Sequence, residues 1–409
     1  MEGCLEGVRV VEVAHWVFVP VAGAVMAEWG ADVVKIEDPE RGEPLRGLVT
    51  GGQVGLPKVH DEPAVNVLVE HSNRGKRSVA VDITTDEGHE LLMRLVEQAD
   101  VFLTNHLPKV RKRLRIEYDD IRAVNPKIVY ARGTAFGPRG PEAEHGGFDA
   151  SAFWARGGCA DGLESSDPRA AFMPISVHGD SLGGLTIAGG VAAALLRRER
   201  TGEGALVDCS LLSMGVWSSS VALAQASIRG IPTFRLPAHD KPFNPLQNHY
   251  RTADDRTICL TYLQSDRYWA KLMEVVGRPE LADDVRFATS ADRFAHNTQC
   301  VEILDDIFAE RTLEEWKVLL AQVSGPWSIV QTHGEVLDDP QVIANGFIRE
   351  VDFGDGLSGR IVASPLQFDE CTPGLTRAPT HGEHTDAALA GLGLSTDEII
   401  DLKIKGVVF

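Results

Sequence analysis

The 409-residue chain predicts an α/β fold: a doubly wound parallel sheet, with a second, smaller α+β domain. Three observations carry that prediction. Residues 8–37 have the pattern and length of a βαβ unit. Strand–helix alternation continues to about residue 208, then gives way to a hairpin and a run of helices. The chain is also longer than one simple core holds, so two domains are expected.

Residues 8–14, Val-rich but with Arg9 and Glu12 among them, read as a buried strand. Residues 21–30 read as a helix stopped by Gly30, and residues 31–37 as the next strand. The turn from Ala14 to Pro20 lacks the glycine-rich phosphate loop, so the unit is not read as a nicotinamide site. Residues 40–63, rich in Gly, Pro and charge, form a long loop. Residues 73–82 are a basic turn feeding a strand. Arg74, Lys76 and Arg77 are expected on the carboxyl side of a sheet edge, as an anion site or as solvated cations. Residues 86–98 form an amphipathic helix and 99–104 a strand. Asn105 and His106 then fall where open α/β sheets hold ligands. The segment 108–114 adds Lys109, Arg111, Lys112 and Arg113; a strand (127–132), a Gly/Pro loop and a helix (148–158) follow.

The stretch from Val177 to Gly184 sets a carboxylate, Asp180, among small residues just before a long apolar helix ending in Arg197, Arg198 and Arg200. Asp180 and Ser181 both suit a helix N-cap. A capping aspartate is one reading; a carboxylate kept ionised at the positive end of a buried helix is the other, and local sequence leaves both open. Gly183, Gly184, Gly189 and Gly190 each weaken a helix, so close packing against its backbone is expected.

Past Asp208, a Pro-punctuated crossing (232–245) leads to a hairpin turning at residues 253–256 and to helices over 266–276, 293–311 and 312–322, the last with Thr312 and Glu315 in capping-box positions. A short helix (339–346), strands within 348–365 and a helix over 396–403 close the chain.

A net charge of -19 argues against a nucleic-acid partner. The apolar run after Asp180 is broken by Gly and Thr, so no membrane span is expected. The N-terminus lacks the basic start and apolar core of a signal peptide. Six scattered cysteines fit reduced thiols in the cytoplasm and offer no metal-ligand spacing.

Five stretches, in order along the chain, resemble the family III CoA-transferases, a family that also holds α-methylacyl-CoA racemases. They are Leu5-Glu-Gly-Val-Arg-Val-Val-Glu with Gly30-Ala-Asp-Val-Val-Lys-Ile-Glu, Asn73-Arg-Gly-Lys-Arg-Ser-Val, Gly179-Asp-Ser with its helix, Arg200-Thr-Gly-Glu-Gly, and Gly382-Glu-His-Thr-Asp. The resemblance implies a large Rossmann-like domain built from both chain ends, residues 1–225 and 331–409, around a small domain of residues 226–330. It further implies a homodimer of interlocked rings. The family nucleophile falls on Asp180, which would carry CoA from an acyl-CoA donor to a small carboxylic acid through an aspartyl mixed anhydride and an aspartyl-CoA thioester. No metal or prosthetic group is implied, because one thioester is exchanged for another. Gly183 and Gly184 are assigned as oxyanion donors. The CoA-binding positions of the family fall on Arg74, Lys76, Arg77, Asn105, His106 and Arg111, and its site-lining residues on His15, Trp16 and Val17.

The sequence departs from the family pattern at Phe18-Val19, at His106 and at Leu107-Pro108-Lys109. The racemases use a histidine where this chain has Phe148, and a phenyl ring exchanges no proton, so transfer is the main reading and 2-methylacyl-CoA racemisation the alternative. His145 lies nearby. His178, two residues before Asp180, is assigned to orient Asp180 or to bind the acceptor carboxylate. The glycine run of formyl-CoA transferases is missing from residues 236–247, which favours a larger dicarboxylic or branched acid, with Arg235, His239 and Lys241 as cations for a second carboxylate.

Overall fold

The computed structural model describes residues 3–49, 65–161, 163, 175–233, 237–371 and 374–409. At its centre is a six-stranded parallel sheet in the order β3-β2-β1-β4-β5-β6. Its strands are β1 (Arg9–Val13), β2 (Asp32–Glu37), β3 (Arg77–Ala80), β4 (Val101–Thr104), β5 (Val129–Thr134) and β6 (Ala205–Ser210). Successive β4 side chains feed opposite faces: Val101 and Leu103 enter one core, Phe102 the other. The order of the strands reverses between β1 and β4, and that reversal opens a crevice at their carboxyl ends.

Helices α1 (Phe18–Glu28), α2 (Val67–Asn73), α3 (Asp86–Glu97), α4 (Pro108–Leu114), α5 (Tyr118–Val124), α6 (His178–Thr201), α7 (Leu211–Ser218) and α8 (Ser220–Arg229) surround the sheet. Leu91, Leu92 and Val96 of α3 and Ile121 of α5 pack on one face. Val21, Val25 and Met26 of α1 with Ile187 and Val191 of α6 pack on the other. Here the glycines act. A Cβ on Gly183 would lie 2.2 Å from Phe18 Cε2, and one on Gly184 2.6 Å from Val21 Cβ, so α1 and α6 meet nearly backbone to backbone. Only glycine permits that approach.

By length and composition α6 is able to span a bilayer, which the sequence reading, taking its Gly and Thr residues as breaks, did not allow. Its buried residues instead pack on α1, β5 and β6 in a protein core. The helix expected over 148–158 forms at Asp149–Arg156, wound as a π-helix. Helix α2 was not foreseen, and most of the loop expected over 40–63 lies outside the described residues.

Two compact units divide the chain: Met1–Thr233 with Pro340–Phe409, and Phe234–Asp339. The sequence reading drew these divisions after 225 and 330. The first falls later because α8 runs unbroken through residue 225. The second does because Arg256 pairs with Glu335 at 2.8 Å, holding residues 331–339 to the smaller unit. In the larger unit the returning chain docks on β3: the Ala80 N–H donates to Thr385 Oγ1 at 3.0 Å, and Val81 pairs with Val408. In the smaller unit the antiparallel sheet β7 (Gln247–Arg251), β8 (Thr257–Thr261), β9 (Trp327–Ile329) packs with helices around Trp269, Phe308 and Trp316. Thr312 caps its helix with Glu315 in a capping box, as expected.

Gly184→Ala should destabilise the protein by about 1–3 kcal/mol despite the better helix propensity of alanine, because the methyl has no room beside Val21. Chemical denaturation would check it; an unchanged or raised midpoint would mean that α1 and α6 are not in this close contact.

Candidate active site

The crevice between β1 and β4 is fixed at its base by an amide clamp. Asn105 Nδ2 donates to His15 O at 2.6 Å, and the His15 N–H donates to Asn105 Oδ1 at 3.0 Å. The next residue, Trp16, is left-handed (φ 69), and its N–H is held by Glu43 Oε1 at 2.7 Å. A cavity of about 490 Å³ opens here, lined by His15, Trp16, Val17, Phe18, Asn105, His106, Phe148 and Asp180. The structure thus brings Asp180 together with five of the residues expected to bind CoA or line the site.

Asp180 is the third residue of α6, and the N-cap is Val177, not Asp180 or Ser181. Val177 is left-handed (φ 51), a conformation that costs a β-branched residue roughly 1–3 kcal/mol. Asp149 closes the helix end instead: its Oδ1 accepts the Gly179 N–H at 3.0 Å, and a Cβ on Gly179 would lie 2.4 Å from that oxygen. Asp180 itself is 9% exposed, and its carboxylate accepts no hydrogen bond among the described residues. Burial, and after it the Asp149 charge, pushes its pKa up to about 7. The expectation that the helix end keeps it ionised is therefore corrected. Desolvation outweighs a dipole contribution of about 0.3–1 kcal/mol.

Other assignments change with the geometry. Gly183 and Gly184 lie past the first turn of α6, where N–H groups are spent on carbonyls four residues back, so they are packing glycines and not oxyanion donors. The His178 ring packs at 5.9 Å and 5.8 Å from the rings of Phe153 and Trp154 and is not among the cavity-lining residues. Lys76 is buried; its Nζ donates to Glu12 Oε2 and to Pro20 O, both at 2.8 Å. Arg74 is buried in an ion pair with Glu28. Arg77 opens β3, at the amino end of the sheet and not the carboxyl end, and pairs with Asp32 at 2.6 Å. None of the three faces the crevice; carboxylates claim them as part of the fold. Arg111 is buried too, donating to Glu117 Oε2 at 3.1 Å and His106 O at 2.7 Å, so it braces the loop after β4. In the smaller unit His239 meets Asp305 at 3.0 Å, Lys241 is exposed, and Arg235 lies outside the described residues.

His15 and His106 stand edge-on, ring centroids 4.8 Å apart. Burial lowers the pKa of His15, while burial and then the His15 charge bring His106 down to about 3. Both are neutral near pH 7. They also line a second cleft of about 310 Å³ along the carboxyl ends of β1, β2 and β3, with Arg41 and Arg113 in its walls. Neither guanidinium has an ion-pair partner among the described residues. Sequence reasoning missed both as site residues. Arg113 sat in the basic segment of which only Arg111 was chosen, and Arg41 lay in a loop with no periodic signal.

A family model described as CoA-transferase family III matches residues 5–385. The (R)-2-hydroxy-4-methylpentanoate CoA-transferase of Clostridioides difficile is 31% identical over 406 residues, spanning 99% of both chains. The cinnamoyl-CoA:phenyllactate CoA-transferase of Clostridium sporogenes is 28% identical, over 97% of this chain and 95% of that one. A CaiB/BaiF family protein from Brucella suis superposes with a TM-score of 0.80 at 29% identity, covering 96% of this chain and all of its own.

Asp180 binds its proton more tightly folded than unfolded, so ionising it carries a stability penalty that is absent below about pH 4, grows as the pH rises, and is complete above about pH 7. Asp180→Asn should therefore be the more stable protein at pH 8, on the order of 2–4 kcal/mol, with the gap closing toward pH 4. Thermal melts of both proteins across that range would check it; a gap that does not depend on pH would contradict it.

Proposed function

The chain belongs to CoA-transferase family III, and on that premise we propose that it moves CoA from an acyl-CoA donor to a carboxylic acid through covalent intermediates on Asp180. One observation carries the reading: a buried carboxylate without hydrogen-bond partners among the described residues, facing a cavity at the sheet's switch point. Such a carboxylate has little solvation to shed before it attacks.

The steps follow from its chemistry. The Asp180 carboxylate adds to the thioester carbonyl and expels CoA thiolate, leaving a mixed anhydride. The thiolate attacks the aspartyl carbonyl, forming an Asp180–CoA thioester and releasing the donor acid. The acceptor carboxylate then attacks that thioester, and the thiolate returns to the acceptor's acyl carbon. Water must be kept out, because it would hydrolyse both intermediates. Apolar walls at Val17, Phe18, Leu107, Val110 and Leu211 suit that need.

The second cleft supports a path for the carrier: the pantetheine arm runs past His15 and His106, and the phosphates meet Arg41 and Arg113. No Lys or Arg lines the main cavity among the described residues, which supports a branched or aromatic monocarboxylic acid over a dicarboxylate. The acids in the two relatives' names are of that kind. Racemisation of a 2-methylacyl-CoA remains the alternative because His145 shares the cavity with Asp180. It requires solvent deuterium to enter the α-carbon without acyl transfer. The homodimer, with its interlocked rings, is part of the proposal. It is supported by α7 and α8, where Trp217 is 76% and Ile228 81% exposed and α8 buries no residue. Six free cysteines support a cytoplasmic setting.

Incubation with acetyl-, isovaleryl- and cinnamoyl-CoA should leave a CoA-sized mass increment on the protein, mapped to the Asp180 peptide and missing from Asp180→Asn. A protein that turns over without such an increment would sink the covalent route. Turnover should rise with pH through about 7 as Asp180 ionises. Asp149→Asn keeps an acceptor for the Gly179 N–H but removes the neighbouring charge, so it should move that acid limb to lower pH; an unmoved limb would count against the pairing.

A further inference from the structure

Ser181, the residue after Asp180, spends its one hydroxyl hydrogen on the Val177 carbonyl, 2.8 Å away. Its oxygen lies 2.9 Å from His71 Nε2. Toward His71 the hydroxyl has only lone pairs left, so the imidazole must carry its proton on Nε2 and donate. Burial, then the Arg74 charge, pulls the His71 pKa down to about 4, so the ring is neutral and has one N–H to give.

His71 is itself anchored. Arg74 donates to the His71 carbonyl and pairs with Glu28. The other Glu28 oxygen accepts the Ser364 N–H at 2.6 Å. A serine bonding the carbonyl four residues back is common and weak. A buried imidazole brought to that serine from a separate helix is a further tie, and it acts where the backbone is under strain. Val177 is left-handed with φ 51 and ψ 26, and nothing in a valine side chain favours that. The turn it makes decides where the first residues of α6 point, Asp180 among them.

We propose that His71 is a positioning residue for the nucleophile: it holds the Ser181 hydroxyl against the Val177 carbonyl and so keeps the left-handed turn that aims Asp180 into the cavity. The proposal rests on reading Asp180 as the attacking carboxylate. His71 is not among the residues lining the cavity, and its effect is on where the carboxylate stands.

The test uses the full-length protein and whichever of acetyl-, isovaleryl- and cinnamoyl-CoA labels the wild type fastest, with rates of adduct formation measured over donor concentration. His71→Met and Ser181→Ala should each lower the limiting rate about 10–100-fold while the half-saturating donor concentration stays within about threefold. His71→Gln, which carries an amide N–H at similar reach, should recover most of the rate. A purely structural contact predicts no such split and no rescue. Wild-type rates in His71→Met and Ser181→Ala, or a His71→Gln as slow as His71→Met, would overturn the proposal. If His71→Met does not fold, Ser181→Ala carries the comparison. Asp180→Asn runs alongside. If it still forms the adduct, the nucleophile reading fails and this inference with it; if it is inert while Ser181→Ala and His71→Met react normally, only this inference fails.

Discussion

The near-contact of α1 and α6 is the constraint on which the rest depends. α1 follows β1 and the first turn of α6 carries Asp180, so packing them backbone to backbone brings the β1–α1 turn and the carboxylate to one crevice. Gly183 and Gly184 make that approach sterically open from one side, and Gly133 makes room for Val19 and Phe18 from the sheet. Larger residues at these positions would push the helix carrying the carboxylate off the cavity. The strand order supplies the crevice, and the glycines decide what faces it.

Charge buried beneath the site does comparable service. Glu12 and Lys35 sit opposite each other on β1 and β2, and Lys76 and Glu43 complete the cluster. Gly23 exists to leave space for it: a Cβ there would lie 2.1 Å from Glu12 Oε2. Lys35 also donates to Ala14 O at 2.8 Å, and Glu43 holds the Trp16 N–H, so the ion cluster and the cavity wall are one structure. Removing any one member would leave an unpaired buried charge, a far larger penalty than the cluster's net contribution.

The sheet and its helices were legible because apolar runs and helical periodicity report burial directly. The family-matched carboxylate was legible too, as were the strand ends at His15 and Asn105. Roles for the cations were not. Arg74, Lys76 and Arg77 look alike in a basic turn, and only the fold reveals that Glu28, Glu12 and Asp32 meet them. One signal was available: Glu12 and Lys35 lie inside stretches read as buried strands, and a charge there must find a partner. Helix α2 escaped notice since its seven residues are too few to show a period, and His71 with it. Val177 could not be foreseen, because valine is among the last residues expected in a left-handed turn.

What results is a carboxylate whose surroundings oppose its charge and, among the described residues, give it no hydrogen-bond partner, poised near neutrality between acid and nucleophile. The central claim is that this group takes part covalently, and oxygen exchange reports it most directly. An acceptor acid labelled with heavy oxygen in its carboxylate, turned over with an acyl-CoA, should leave heavy oxygen in the Asp180 side chain, one atom in the first turnover and both over many, since the acceptor's attacking oxygen stays with the aspartate when the anhydride is cleaved. A label confined to the product thioester and released acid after many turnovers, with none in the Asp180 peptide, would contradict the account.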